Sequence, residues 1–134
     1  MSGKHDTGRT DYAFGPFRIS LPPGWTGAFE DGVHTISTDA HDTAIQISGF
    51  ERETPVTISN LYGMVPDDAE GRARFTLPSG LDGFSWQDTE RETEMQVIRA
   101  GTTMLAISVI GKDEDAEAVS EILGSLVLNE ESVA

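Results

Sequence analysis

The hydrophobic pattern of the chain first becomes regular after about a dozen polar residues. Phe17, Ile19 and Leu21 fall at every second position, so they would lie on one face of a strand. The Pro-Pro-Gly sequence at residues 22–24 ends this strand, because proline cannot donate to a sheet ladder. Trp25 then begins a turn.

Two further segments, residues 32–38 and 43–50, are rich in the β-branched residues that favour strands. Residues 39–42 between them read Asp-Ala-His-Asp, a polar cluster of the kind that closes a hairpin. The first third of the chain is therefore predicted to form a three-stranded meander.

The apolar spacing then changes to that of a helix. Ile58, Leu61 and Val65 recur at intervals of three or four residues. Thr57 is placed to cap this helix, and Pro66 ends it after a few turns.

The second half of the chain begins with a polar stretch, residues 67–83, that predicts a long connection with one short extended piece. A β region follows over residues 84–110, with a turn at 99–102. Residues 104–110 are almost continuously apolar, which is typical of a central strand covered on both faces. An acidic start at 113–115 then favours a closing helix. One face of that helix carries Ala116, Val119, Ile122, Leu123 and Leu126.

These elements predict one domain over residues 13–129, with a flexible N-terminal arm at 1–12 and a C-terminal tail at 130–134. The strands follow one another without alternating crossover helices. The predicted fold class is therefore α+β, with a mainly antiparallel sheet packed against two helices.

Two segments resemble the PsbP-like group of α/β/α sandwich proteins. The first is Phe-Arg-Ile-Ser-Leu-Pro-Pro-Gly-Trp at residues 17–25, and the second is the apolar strand at 104–110 with its acidic helix start and its close at 122–126. The resemblance covers residues 14–128. The short first helix, interrupted by Pro66, departs from the pattern of the group.

The PsbP-like group includes photosystem accessory proteins, a nuclear transport GTPase-binding protein, exported lipoproteins, Eag-type chaperones of type VI secretion effectors and bacterial proteins of unknown role. The resemblance implies a PsbP-like sandwich that uses a sheet face or edge to hold another protein. It brings no catalytic motif, and fold analogy alone does not define a function.

The charge of the chain narrows the class of partner. Its 134 residues include 23 Asp and Glu against 9 Lys and Arg, a formal net charge of -14. Nucleic acids and anionic membrane surfaces are normally bound through basic side chains, so neither is expected as a partner. A basic protein is the electrostatic complement, although solubility alone also accounts for such a charge.

Recognisable catalytic and metal-binding motifs do not occur in the sequence. The chain has no cysteine, which excludes disulfides and thiolate chemistry, and it lacks glycine-rich phosphate loops and the Gly-x-Ser-x-Gly motif. Of its three histidines only His41, near Asp39 and Asp42, suggests a metal ligand, and an ordinary hairpin turn explains that cluster. We therefore expect no enzyme activity, no cofactor and no metal site.

One charged pattern stands out from the acidic background. Four carboxylates recur at period two: Asp88, Glu90, Glu92 and Glu94. An extended strand over residues 84–94 would place them on one face together with Trp86. The functional interpretation is a docking strip in which Trp86 supplies burial and the carboxylates steer a basic partner. The structural alternative is a solvated edge that prevents sheet aggregation, with the aromatic residues turned into the core after a bulge.

The sequence favours a non-enzymatic, protein-binding bacterial domain, namely an acidic immunity protein that masks a cognate basic toxin. A secretion chaperone or adaptor is one alternative and would need an exposed apolar groove. A small-ligand-binding protein is another and would need an apolar pocket with converging polar groups. No signal segment or run of membrane-spanning length occurs, so a cytoplasmic location is expected.

Overall fold

The structure is a computed structural model that describes residues 10–38, 43–90, 92–111 and 115–128. Within these ranges the chain forms strands and helices in the following order: β1 (Thr10–Phe14), β2 (Phe17–Leu21), β3 (Trp25–Glu30), β4 (Val33–Thr38), β5 (Ala44–Glu51), α1 (Ile58–Tyr62), β6 (Glu70–Thr76), β7 (Asp82–Asp88), β8 (Thr93–Ala100), β9 (Thr103–Ile110), α2 (Ala116–Gly124) and β10 (Val127–Leu128). Neither described helix has the length and apolar content needed to cross a membrane.

The strands form two sheets. The larger has seven strands in the order β3-β4-β5-β9-β8-β7-β6, and the smaller has three in the order β1-β2-β10. The described strands pair antiparallel throughout. The predicted α+β class, mainly antiparallel with two helices, is confirmed.

The larger core lies on the face of the seven-stranded sheet that α2 and the small sheet cover. Ile36 and Ile107 of the large sheet belong to one cluster with Phe17 and Ile19 of β2 and Ile122 of α2, and each is at most 2% exposed. The period-two face of β2 and the apolar face of α2 therefore meet the same sheet surface, as their spacing predicts.

A second core lies on the opposite face, beneath α1. Leu61 of α1 is fully buried there and packs with Trp86, Val97 and Met104. β9 thus contributes Met104 to this cluster and Leu105 to the larger one, and it pairs with β5 on one side and β8 on the other. The prediction of a central strand covered on both faces is confirmed.

Both helices begin near the predicted positions. Thr57 caps α1 through a reciprocal pair of hydrogen bonds with Asn60, but α1 ends four residues before Pro66 and is shorter than predicted. Asp115 is the N-cap residue of α2, and its carboxylate accepts a hydrogen bond from the hydroxyl of Thr43 rather than from the helix backbone. Both residues are buried, so this bond fixes the start of α2 against β5.

β1 lies partly within residues 1–12, which the sequence predicts as an arm. It pairs in full register with β2, and the ring of Tyr12 lies directly on β3 at Gly27. A Cβ atom at Gly27 would come within 2.5 Å of the Tyr12 ring, so the absence of a side chain there makes room for β1. The predicted arm at residues 1–9, the turn at 39–42 and the tail at 130–134 lie outside the described residues.

Two strands differ from the prediction because they form the edges of the large sheet. β3 occupies the segment predicted as a turn after Trp25, and β6 occupies most of the predicted connection at 67–83. Most of their side chains are exposed, so neither strand shows the alternation that marks a half-buried strand. The turn predicted at 99–102 is confirmed and contains Gly101 at a φ of 63°.

Candidate functional site

The β7–β8 hairpin carries the residues that the sequence singles out as a partner-binding strip. β7 and β8 pair along their full length, and residues 89, 90 and 92 between them adopt turn conformations. Directly paired residues share a face of the sheet, so Trp86 and Met95 lie on the face that α1 covers. Gln87 and Glu94 lie on the opposite face, towards α2.

The predicted continuous strand over residues 84–94 is wrong. β7 ends at Asp88 and β8 begins at Thr93, so Glu90 and Glu92 belong to the turn. Glu94 lies on β8 and faces α2, whereas Asp88 faces the α1 side. The four carboxylates are therefore distributed around the end of a hairpin instead of along one face.

Trp86 is part of the core beneath α1. It is 6% exposed and packs in the cluster that includes Leu61, Val65 and Met104. It reaches this position without a bulge, since its pairing with β8 is continuous. The indole consequently offers little surface to a partner, and the predicted role of Trp86 as an exposed aromatic group does not fit its position.

A depression of about 420 Å³ opens beside the hairpin on the α1 side. Its walls come from the segment after α1, from β7 and from the turn, and the described lining residues are Pro66, Asp68, Ala69, Trp86, Gln87, Asp88, Thr89 and Glu90. We call it the acidic depression, because three of these residues carry carboxylates and none is Lys or Arg.

A larger cleft of about 640 Å³ lies on the opposite face, between α2 and the sheet. Its apolar lining includes Phe75, Leu77, Val109, Val119 and Leu123. Its polar lining includes Gln87, Glu92, Glu94 and Gln96, and the strands of Gln87 and Gln96 lie between those of Phe75 and Val109. We call it the α2 cleft. It brings Glu92 and Glu94 together with residues that the sequence analysis did not single out.

Two polar side chains that line the α2 cleft, both on β8, are hydrogen-bonded to each other. The Gln96 amide nitrogen donates to Oε2 of Glu94 at 3.0 Å. This bond sets the orientation of the amide, because the reverse orientation would place its oxygen against a carboxylate. The Gln96 Oε1 atom is buried and accepts no hydrogen bond from the described residues.

The other end of the same hairpin is electrostatically neutralised. Asp82 accepts hydrogen bonds from the guanidinium of Arg99 at 2.8 and 3.1 Å and from that of Arg74 at 2.9 Å. The hydrogen bond from Arg99 contributes most to holding the pKa of Asp82 below its usual value. Excess negative charge on the hairpin is therefore concentrated at the turn, where residues 88–94 hold four acidic side chains and one arginine.

A separate polar contact joins the two sheets at His34. The Tyr12 hydroxyl lies 2.8 Å from Nδ1 of His34, and the imidazole packs against the rings of Phe14 and Phe29 at 5.0 and 4.6 Å. Burial lowers the pKa of His34 and raises that of Tyr12. This contact joins β1 to β4 and lies apart from the hairpin turn.

The described residues contain no group of three or more His, Asp or Glu side chains that could hold a metal ion. His34 is surrounded by aromatic rings. His41, the histidine for which a metal role was considered, lies outside the described ranges.

No model of a known protein family matches the sequence, and a search of curated proteins finds no significant match. Solved structures are similar in fold. The solution structure of cyanobacterial PsbP (CyanoP) from Synechocystis sp. PCC 6803 aligns with a TM-score of 0.63 at 13% identity, covering 90% of this chain and 92% of that one. A crystal structure from Bacteroides thetaiotaomicron VPI-5482 aligns with a TM-score of 0.57 at 15% identity, covering 87% of this chain and 46% of that one.

The alignment with CyanoP extends over nearly the whole of both chains, so the likeness concerns the complete arrangement of sheets and helices. At 13% identity it carries no residue roles from one protein to the other. The chain therefore has a PsbP-like α+β fold.

Proposed function

We propose that the protein is a non-enzymatic binding domain that masks a basic surface of another protein, as an acidic immunity protein masks a toxin. The observation that supports this proposal is the acidic end of the β7–β8 hairpin. Asp68, Asp88 and Glu90 border the acidic depression, and Glu92 and Glu94 border the α2 cleft around the same turn. Charge of one sign around a concave surface raises the local concentration of an oppositely charged partner.

The burial of Trp86 defines how such a partner would bind. The protein supplies a depression and a rim of carboxylates, so the inserted group comes from the partner. A lysine or arginine side chain fits this chemistry, because the described walls of the acidic depression carry acidic and amide groups. Steering by exposed charge raises the association rate and is weakened by salt.

The distribution of exposed apolar side chains favours masking over the chaperone alternative. Among the described residues, the large hydrophobic side chains that are exposed are Phe29, Phe50, Tyr62, Met64 and Ile110. None of them lines the acidic depression or the α2 cleft. A chaperone that holds an effector helix would use such residues as the walls of a groove.

The test compares two variants that change the net charge by the same amount. In the first, the exposed residues Asp68, Glu90 and Glu92 are changed to Lys, which reverses the charge around the turn. In the second, the exposed residues Glu30, Glu53 and Glu117, which border neither depression, are changed to Lys. Circular dichroism and thermal unfolding check that both variants keep the fold.

Each protein is used as bait in cell lysate at low and moderate salt, and the captured partner is purified for a binding assay and for an assay of its own activity. We expect the wild type and the control variant to bind and inhibit a basic partner, and the turn variant to lose at least about tenfold in affinity. An equal loss of affinity in both variants would show that binding depends on net charge and not on the position of the carboxylates. Unchanged affinity of the turn variant for the partner would overturn the proposal.

A further inference from the structure

We propose that the α2 cleft is a binding site for a small organic cation, an amine or guanidine with an apolar body. The cleft lies on the opposite face of the hairpin from the acidic depression, and this proposal does not depend on the masking function. Its volume of about 640 Å³ lies in the range typical of small-molecule sites, about 300 to 1,000 Å³.

The lining of the α2 cleft complements both parts of such a ligand. Its apolar residues are buried or half-buried side chains of β6, β9 and α2, including Phe75, Val109 and Leu123. These side chains can pack against a hydrocarbon or aromatic body and remove it from water. Glu92 and Glu94 also line the cleft, and their carboxylates can receive a positive charge.

The charge balance of the cleft selects a cation over an anion. Its described lining contains two carboxylates and no Lys, Arg or His. A ligand carboxylate or phosphate would meet the like charges of Glu92 and Glu94 without a compensating cation in the described lining, and like charges repel.

Gln96 supplies a second reason for expecting a hydrogen-bond donor. Its amide nitrogen is committed to Glu94, and its Oε1 atom is buried without a donor from the described residues. A buried carbonyl oxygen is costly to leave unsatisfied. An ammonium placed beside Glu94 could donate to both side chains after a small rotation of the Gln96 amide, which is needed because Oε1 of Gln96 is buried.

The first test uses three probes that share one body: 4-phenylbutylamine, 4-phenylbutanol and 4-phenylbutyrate. Binding to the full-length protein is followed by two-dimensional amide NMR during titration. We expect the amine to bind at least about tenfold more tightly than the alcohol, in line with the strength of charged hydrogen bonds, and the carboxylate to bind most weakly. The largest shifts are expected at Gln87, Gln96 and Ser120, which line the cleft.

Variants then assign the binding to the α2 cleft. Glu94→Gln keeps an oxygen that can accept from Gln96 but removes the charge, so it should reduce amine affinity about tenfold and leave alcohol affinity unchanged. Ser120 is exposed on α2 and lines the cleft, so Ser120→Trp introduces a bulky ring there. This variant should block binding of both the amine and the alcohol. Glu117→Gln, on α2 but outside the described lining, is the matched control and should have no effect.

The outcomes separate this proposal from the masking function. Lys substitutions at Asp68 and Glu90, on the other face of the hairpin, should leave amine binding within about twofold, because these residues do not line the α2 cleft. Equal binding of amine and carboxylate, amine-induced shifts elsewhere in the protein, or unchanged amine affinity in Glu94→Gln would each overturn the proposal.

Discussion

Replacing Trp86 by Ala tests whether this residue belongs to the core or to a binding surface. The indole is 6% exposed, so nearly all of its roughly 200 Å² of surface is removed from water on folding. At about 25 cal/mol per Å² that burial corresponds to about 5 kcal/mol, of which an alanine retains about 1 kcal/mol. We therefore expect the free energy of unfolding to fall by about 4 kcal/mol, consistent with the range of about 3–5 kcal/mol for large aromatic truncations.

Urea unfolding followed by circular dichroism measures this loss, with Trp86→Phe as a milder variant that keeps part of the packing against Leu61 and Met104. The matched control is Phe29→Ala on β3, where the ring is 62% exposed and the expected loss is below about 1 kcal/mol. A loss below about 1 kcal/mol for Trp86→Ala, with an unchanged dependence on urea, would refute the assignment of this indole to the core.

Three further changes test contacts described above. Asp82→Asn should lower the free energy of unfolding by about 1–2 kcal/mol at pH 7 by weakening its bonds to Arg99. Because the folded pKa of Asp82 is lowered, the wild-type advantage should disappear as the pH falls below about 4, as urea unfolding of both proteins at each pH would show. Burial also lowers the pKa of His34, so the contribution of His34 to stability should be fully present above about pH 6.5 and should decline as the pH falls towards the folded pKa. His34→Gln should flatten this decline in melting temperatures measured over a series of pH values. Gly27→Ala should lower the free energy of unfolding by about 1–3 kcal/mol, because the methyl would come within 2.5 Å of the Tyr12 ring and 2.9 Å of Ile36 Cδ1. In a Tyr12→Ala background the same change should cost less, because only the contact with Ile36 remains, and a double-mutant cycle measures the difference.

The sequence predicts the interior of this fold better than its edges. β2, β4, β5, β9 and α2 each bury a regular set of apolar side chains, and the periodicity of those residues is visible in the sequence. β1, β3 and β6 pair on one side only and expose most of their side chains. Such strands are held by backbone pairing, which leaves little trace in the pattern of hydrophobic residues.

The position of the turn in the β7–β8 hairpin was the decisive feature that the sequence did not show. The sequence between Asp88 and Thr93 contains no glycine, proline or asparagine, and Glu92 adopts a φ of 53°, which is uncommon for a residue with a side chain. Without a turn signal, the period-two carboxylates were consistent with one long strand. In the hairpin, each residue of β8 lies on the same sheet face as its paired residue on β7. Glu94 therefore shares a face with Gln87 and lies on the opposite face from Asp88.

The α2 cleft was beyond sequence reasoning for a different reason. Its lining comes from the consecutive elements β6, β7, β8, β9 and α2. Phe75 lies on the edge strand β6, which shows no apolar alternation, and Glu92 lies in a turn that carries no turn signal. One local signal was present. Glu94, Gln96 and the buried Ile98 fall at every second position of β8, so all three lie on the face that meets the larger core. Two polar residues on that face interrupt the apolar row.

The hairpin turn thus separates two surfaces of different chemistry. The acidic depression is bordered by carboxylates, whereas the α2 cleft is lined by two carboxylates and by apolar side chains. Gln87 borders both, so a protein that approaches the end of the hairpin would contact the rim of each. A partner that only masks charge needs the carboxylates around the turn, while a ligand held in the cleft needs Glu94 and the surface of α2. Substitutions at Asp68 and Glu90 and at Ser120 therefore separate the two proposed functions, because Glu92 of the turn also lines the α2 cleft.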